Sequence, residues 1–365
     1  MVTGRFTDLY DNEKEIFSYD KYLSKKAFFV VICILLSLVA LGLEVSLGKA
    51  DIGFIESYTI IWDHITGNIA TDPVGAQKDL IVWNLRLPRA IGAFMVGLIL
   101  AVGGAAMQSI LKNPLADPYT TGMSSGAGLG AILWISLGFC LIPSLYGYNA
   151  IVINAFVFSM VPTLAIIAVS KYKQATPTTM ILTGLGVMYT FSAVTSLLML
   201  LADPEDHKTA YMWNIGSVGS ITWDAIPFIF IATVIAMVFM TYMAKKINIL
   251  AMNDESAVAI GVDAKKYRIV ILVVVAITVA LAVSFTGTIG FVGLLAPHLV
   301  RLFVGSDNRY LIPASAAFGG MLLLYSDCIA KEIGATGLPV GVITAAVGGP
   351  LFLYILFRHK NKIWE

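Results

Sequence analysis

Leu85-Arg86-Leu87-Pro88-Arg89 stands at the mouth of a long apolar run that begins at Ala90 and continues to Leu111. The two arginines, three positions apart, lie on one face of a helix. A charge at the end of a membrane span is costly in lipid, so it is placed there for orientation, a partner or a substrate. The pair reads either as anchors that snorkel to the membrane edge or as contacts to something outside it, and the run behind it decides the fold. The chain of 365 residues is 58% hydrophobic and only 13% charged, with a mean hydropathy of +0.83. That composition excludes a soluble globular domain. The net charge of +1 argues neither for nor against nucleic acid, and no nucleic-acid partner is expected of a membrane-spanning chain.

An apolar helix of about 20 residues spans the hydrocarbon. By that ruler the chain holds ten candidate spans, near 27–48, 90–111, 119–141, 150–170, 179–201, 225–243, 269–289, 292–304, 311–330 and 338–357. The eighth is too short to cross comfortably and reads as a short or broken span. The expected fold is an all-α, polytopic membrane protein. Lys and Arg collect on the cytoplasmic side. With the N-terminus inside and the spans alternating, 18 of the 24 Lys and Arg fall inside. Six fall outside: Lys49, Lys78, Arg86, Arg89, Lys208 and Lys331. This predicts a multi-pass protein with cytoplasmic N- and C-termini and puts Arg86 and Arg89 on the outer face. Residues 1–26 are polar and mixed in charge, and the apolar run after them is too long for a signal-peptide core. They read as a cytoplasmic N-terminal extension, with residues 27–365 forming the membrane-spanning domain.

Glycines stud the second run (Gly92, Gly97, Gly103, Gly104) and the third (Gly122, Gly126, Gly128, Gly130). Small residues let helix backbones approach closely in lipid, which implies a compact bundle. Between these runs lies Asn113-Pro114-Leu115-Ala116-Asp117-Pro118, where two prolines cannot continue a helix. It reads as a plain interhelical turn or, beside the polar Gln108, as a pore element. The largest cytoplasmic loop, Lys245 to Arg268, centres on Asp254-Glu255-Ser256-Ala257-Val258-Ala259-Ile260-Gly261-Val262. Acids at the front, apolar Ala257 and Ile260 at helical spacing and Gly261 near the end predict a short helix with a glycine stop. Such a helix either lies on the membrane or docks into a partner. In Gly287–Arg301, glycines loosen the backbone, Pro297 interrupts the short span, and His298 and Arg301 share a face. His298 reads as a proton-relay group or as a residue that satisfies backbone groups near the break.

Other chemistries leave no trace. Cys33, Cys140 and Cys328 fall within or at the end of apolar runs without a CxxC partner, so they read as packing residues. No GxxxxGK[ST] loop is present, so the chain does not cradle nucleotide phosphates in that way, and no HExxH appears. His64, His207, His298 and His359 are scattered, and no metal site, cofactor or catalytic constellation is expected. The acids in or beside spans, Glu44, Asp224, Asp327 and Glu332, lie near predicted span ends. An ion-coupled transporter usually carries a carboxylate near the bilayer midplane. Uphill transport here is therefore expected to draw its energy from another chain.

Several spaced motifs in one order now resemble the FecCD family of permeases, the membrane subunits of ABC importers for iron-siderophores, haem and cobalamin. They are Leu85–Arg89, the glycine-rich run through Gln108, Asn113–Pro118 with Gly122 and Gly126-Ala127, Trp213 with Gly216, Asp254–Val262, Gly287–Arg301 with Gly305, and Leu338-Pro339-Val340-Gly341. The resemblance covers about residues 50–357. It implies the type II ABC importer permease fold in the cell membrane, with ten spans per subunit and a homodimer enclosing one pathway. It also implies two ATPase subunits below and an extracytoplasmic solute-binding protein above. Arg86 and Arg89, with Lys331 one residue out of the family's register, would then meet acids of the binding protein. Asp254, Glu255, Ala257, Ile260 and Gly261 would form the helix that couples to the ATPase. Gln108, Asn113, Leu115, Thr178 and Thr179 would belong to the pathway and its inner gate, with Pro177 standing where the family has a hydroxyl residue. Asn253 replaces the family's usual glycine, and both tolerate left-handed backbone, which predicts the same cap. Thr288 replaces a usual proline, which predicts a softer turn. An ion-coupled secondary transporter and a membrane-embedded enzyme are the alternatives.

Overall fold

The computed structural model describes residues 3–172, 176–252, 254–334 and 337–358. Lys173, Asn253, His359, Lys360 and Lys362, which entered the readings above, lie outside the described residues. The chain forms α1 (Thr3–Ser46), α2 (Phe54–Thr66), α3 (Pro73–Leu80), a π-helical turn (Ile81–Arg86) and α4 (Leu87–Ile110). A 3₁₀ turn (Pro118–Thr121) leads to α5 (Met123–Leu137), α6 (Tyr148–Tyr172), α7 (Pro177–Leu201) and α8 (Pro204–Ile215). Then follow α9 (Ile226–Ala251), α10 (Asp254–Ala259), α11 (Ala264–Thr286), α12 (Val292–Val304), α13 (Asn308–Glu332) and α14 (Val340–Arg358).

Among the described residues, seven helices are long and apolar enough to cross a membrane, and Met123–Leu137, Val292–Val304 and Val340–Ile355 are shorter apolar helices. Together they occupy the ten positions expected from hydropathy, and the short eighth span is α12. Three features depart from the expectation. Helices α2 and α8 form outside the apolar runs. The helix that carries the second span starts at Pro73, ahead of the apolar run from residue 90, and continues for 38 residues to Ile110. At 1.5 Å per residue that is about 57 Å, well beyond the hydrocarbon thickness of about 30 Å. Pro88 sits inside this helix because the π turn just before it widens the backbone where its ring would press on the preceding turn. Residues 3–26 are helical and continuous with the first span, so a change of polarity, not a break in α1, marks the N-terminal extension.

The bundle is built around α4, whose most apolar window is 89% buried. It packs against α13, α9, α12 and α11, while α5, α6 and α7 form a second group joined to the first through α11 and α6. Glycine makes the close approaches possible. A Cβ on Gly97 would overlap the Gly319 carbonyl, and one on Gly130 would overlap Asn154 O. Two approaches share a further feature. Pro297 lies inside α12 without ending it, and Pro162 lies inside α6. Proline has no N–H, so each leaves the carbonyl four residues earlier without its helical donor. Those carbonyls, Gly293 O and Phe158 O, face the Cα positions of Gly104 and Gly126 on the neighbouring helices. The glycine Cα–H groups supply weak donors there. Pro297, read as an interruption of the short span, is thus part of a packing joint.

The non-helical breaks also have local causes. The Asp117 side chain accepts from Thr120 N at 2.9 Å and Pro118 opens the 3₁₀ turn, which ends at Gly122 in the left-handed region (φ 89°). Gly287 (φ 69°), Gly216 (φ 83°) and Gly341 meet where the ends of α11 and α8 touch the start of α14. Thr288 hydrogen-bonds Asn214 O across this junction, so its hydroxyl ties the turn instead of softening it.

Candidate functional site at the two ends of α4

The Arg86 end of α4 is held by charge. The Arg86 guanidinium donates to the carbonyls of Val45 (2.7 Å), Ser46 (2.8 Å) and Ala50 (3.2 Å), where α1 ends. Its side chain is buried, and the carbonyls of Val45 and Ser46 are among those that a helix end leaves unpaired. Arg89 makes a bidentate pair with Asp327, both contacts 2.7 Å, and lies 3.5 Å from Glu44 Oε1. Lys331 pairs with Glu44 and donates to its backbone carbonyl at 2.8 Å. Glu44 and Asp327 have no exposed surface. Two carboxylates and two cations thus balance within one cluster that ties α1, α4 and α13 together. The acids do lie toward the ends of α1 and α13, as the sequence placed them. What single-residue reading missed is that they are buried and paired. The signal was available, because opposite charges inside apolar runs have to find each other.

Above this cluster opens a cavity of about 1140 Å³. Arg86, Arg89 and Lys331 all line it, with the exposed Lys49 on its rim. The structure therefore brings the three outward cations expected from the sequence to one place, with much of their charge already engaged inside the chain.

The opposite end of α4 is held position by position. Gln108 is wholly buried; it donates to Leu294 O at 3.1 Å and accepts from Arg301 at 2.5 Å. Expected in the pathway, it lies instead in the packing between α4 and α12. Ser109 donates to Asn308 Oδ1 at 3.1 Å. Arg268, 1% exposed, donates from Nε to Ile110 O at 2.9 Å. Lys112 takes a left-handed backbone (φ 50°) and reaches Asp254 Oδ1 at 2.7 Å. Asp254 also accepts from Arg268 Nη2 at 2.9 Å and Nη1 at 3.3 Å. Arg268, then Lys112, holds its carboxyl down to about 2 from an ordinary 3.8. His298 is buried edge-on to the Phe352 ring, 5.7 Å between centroids.

Beyond Lys112 the chain turns out of the helix. Asn113 Oδ1 accepts from Leu115 N at 2.9 Å, and Leu115 is 46% exposed. Thr178 and Thr179, expected at the inner gate, lie in the first turn of α7. Thr176 caps that turn and Pro177 takes the first helical position, where its missing N–H costs nothing. Thr179 lines a groove of about 520 Å³ with Val169, Tyr172, Leu182 and Thr183.

Helix α10 forms where a short helix was expected, with Gly261 at φ 81° after it. Its apolar face differs. Ala257 is buried against its own chain, whereas Val258 (68%) and Ile260 (61%) are exposed, with Glu255 beside them. Ile260 N still bonds back to Ser256 O, so Ile260 closes the helix at helical spacing from Ala257, but the fold covers only Ala257.

A helical bundle with apolar spans, a charge-lined cavity at one end and a short exposed loop helix at the other has clear relatives. The chain is 32% identical over 328 residues to the hemin transport system permease protein HmuU of Yersinia pestis, covering 89% of this chain and 95% of the relative. It is 38% identical over 288 residues to the cobalamin import system permease protein BtuC of Halobacterium salinarum, covering 78% and 75%. The structure of a metal-chelate type ABC transporter in an inward-facing conformation superposes with a TM-score of 0.78 at 25% identity, covering 90% of this chain and 98% of that one. The model of the FecCD transport family matches residues 30–358, from the first span to the last, and the chain belongs to that family.

Proposed function

We propose that this chain is the permease subunit of an ABC importer that carries a metal chelate of the iron-siderophore, haem or cobalamin type across the cell membrane. The family match over the whole bundle carries this reading. ATP hydrolysis on two separate subunits drives transport, and a solute-binding protein delivers the chelate to the face around Arg86, Arg89 and Lys331. Helix α10 is the contact to the ATPase. Its exposed Val258 and Ile260, at a loop tip away from the spans, support that role, since apolar side chains there lack cover within the chain. Two copies enclose the pathway. In support, the most apolar window of α7 is only 6% buried, the least of the seven long helices, so this helix meets little of its own chain. The inner gate lies at Asn113–Leu115 and at Thr178–Thr179, both bearing short or exposed side chains at the same end as α10.

The test is reconstitution in liposomes with the cognate ATPase and binding protein. ATP-dependent uptake of one of these chelates, abolished when the ATPase is omitted, supports the reading. Uptake driven by a proton or sodium gradient without the ATPase would overturn it in favour of a secondary transporter. Cysteine at position 115, in a background without Cys33, Cys140 and Cys328, should crosslink between the two copies in one nucleotide state and not in another. An intact dimer that never crosslinks would place the gate elsewhere.

A further inference from the structure

Asp254 is the first residue of α10, yet its carboxylate points back into the bundle and not outward to a partner. It accepts from Arg268 on α11 and from Lys112 at the end of α4. Arg268 in turn donates to Ile110 O, the last carbonyl of α4. Ile110, Lys112, Arg268 and Asp254 therefore form one closed link between the end of α4 and the start of α10. Lys112 is three residues from Leu115, and Asn113 next to it orders the backbone of Leu115.

A six-residue helix does not hold itself together in water, because nucleation is too costly for so few bonds. The position of α10 is thus set by its attachments. Ala257, buried at its centre, is one such attachment, and the Asp254 carboxylate is another. The previous turn of α4 is fastened elsewhere: Gln108 to α12, and Ser109 to the first residue of α13. A force on α10 then meets a fixed turn at Gln108–Ser109 and, beyond Ile110, a non-helical segment that Lys112 N and Asn113 N cap onto Ser109 O and Gln108 O. The strained backbone of Lys112, a non-glycine residue in the left-handed region, lies at the boundary between them.

We infer that Asp254 transmits the movement of α10 to the turn at 113–118 through Lys112 and Arg268. It acts as a positioning residue that pulls on the gate, not as a docking contact for the ATPase. The inference rests on the reading of α10 as the ATPase contact and adds to it the direction of the load path. The pair Lys112–Asp254 carries the specific link, since Arg268 is also needed to cap α4.

The test uses the reconstituted complex and reports two quantities, ATP hydrolysed and chelate imported. Lys112 is partly exposed, so Lys112→Met is expected to fold, to co-purify with the ATPase and to hydrolyse ATP at the wild-type rate. Its import per ATP should fall by about tenfold, within the usual range of coupling between sites. Asp254→Asn should lower the same ratio, and the double variant should fall no further than either single one, as expected for two ends of one contact. Asp254→Glu should restore most of the ratio. A spin label at position 115 should stop responding to nucleotide in Lys112→Met. Unchanged import per ATP in Lys112→Met, or additive losses in the double variant, would overturn the inference. Loss of ATPase binding in Asp254→Asn while a spin label at position 258 stays restrained would also overturn it, by making Asp254 a docking contact. A wild-type chain that neither binds an ATPase nor imports with ATP would instead overturn the parent reading, so the two failures are distinguishable.

Discussion

Asp327 has no exposed surface, and both its oxygens are taken by the Arg89 guanidinium. Removing one member of such a pair leaves the other charged and unmatched in a dry site, at a cost of about 3–5 kcal/mol. Replacing both with apolar groups costs far less. Asp327→Asn should therefore lower the unfolding temperature in detergent sharply, and Arg89→Met with Asp327→Leu should recover most of the loss. Equal destabilisation by the single and double variants would show that packing, not charge, is what matters there. Asp254 answers to pH instead. Arg268 and Lys112 lower its carboxyl to about 2 in the folded chain against 3.8 ordinarily. A depressed carboxyl contributes stability that is complete above the ordinary value and is lost as pH falls through the folded one. A spin label at position 258 should thus be restrained above pH 4 and become mobile as pH falls toward 2. In Asp254→Asn it should be mobile at every pH, and a label insensitive to both changes would detach α10 from this contact. Neither cluster was legible residue by residue. The sequence marks Arg89, Lys331 and Asp254 as charges at segment ends, but pairing across 238 positions between Arg89 and Asp327 is set only by how α4 meets α13.

At the scale of elements, the joints between helices are backbone against backbone. A Cβ on Gly104 would overlap Gly293 O, the carbonyl freed by Pro297, and one on Gly126 would overlap Phe158 O, freed by Pro162. Gly104→Ala and Gly126→Ala should each force their helix pair apart, at about 1–3 kcal/mol or more for an overpacked contact. Gly186→Ala, with nothing within 4 Å of its Cβ position, should be neutral or slightly stabilising. Thermal unfolding of the three variants side by side checks this, and a neutral Gly104→Ala would mean that α12 adjusts freely. The glycines were legible as packing signals, whereas Pro297 was read only as a break and Pro162, inside an apolar run, drew no reading. The ten apolar segments were legible because each has to hide its backbone from lipid, which demands long runs of apolar helix. Helices α2 and α8 and the stretch 73–89 escaped the same ruler because helix outside the hydrocarbon needs no such run. In α2 the signal was local: Glu56 accepts from Gly53 N at 2.8 Å, a capping contact three residues apart. The face of α10 was misread at one residue: Ile260 keeps helical spacing from Ala257, but the packing of the bundle covers Ala257 alone.

For the whole molecule the question is which charges remain for a partner once the fold has used its own. Arg86 is taken up by two carbonyls at the end of α1 and one of the α1–α2 connection, and Arg89 and Lys331 by Asp327 and Glu44. Reversing Arg86 and Arg89 together would place acid against Glu44 and Asp327 and is expected to unfold the arginine end of the bundle, so it is a poor probe of docking. Lys49 differs. It is exposed, lines the same cavity of about 1140 Å³, and sits beside Gly48, whose φ of 126° sets the turn that carries it. On the proposed outer face Lys49 is therefore the cation best placed to meet an acid of the binding protein. Exposed charges steer encounter more than they add affinity, and salt screens them over about 8 Å at physiological strength. Lys49→Glu should slow association with the binding protein by roughly tenfold at low ionic strength, with little change in dissociation and none in unfolding temperature. The difference from wild type should shrink as salt rises, which surface-plasmon measurements over a salt series would show. A Lys49→Glu variant that associates as fast as wild type at low salt would mean that the binding protein is recognised by the shape of the cavity and the exposed turns around it, with the buried cations serving the fold alone.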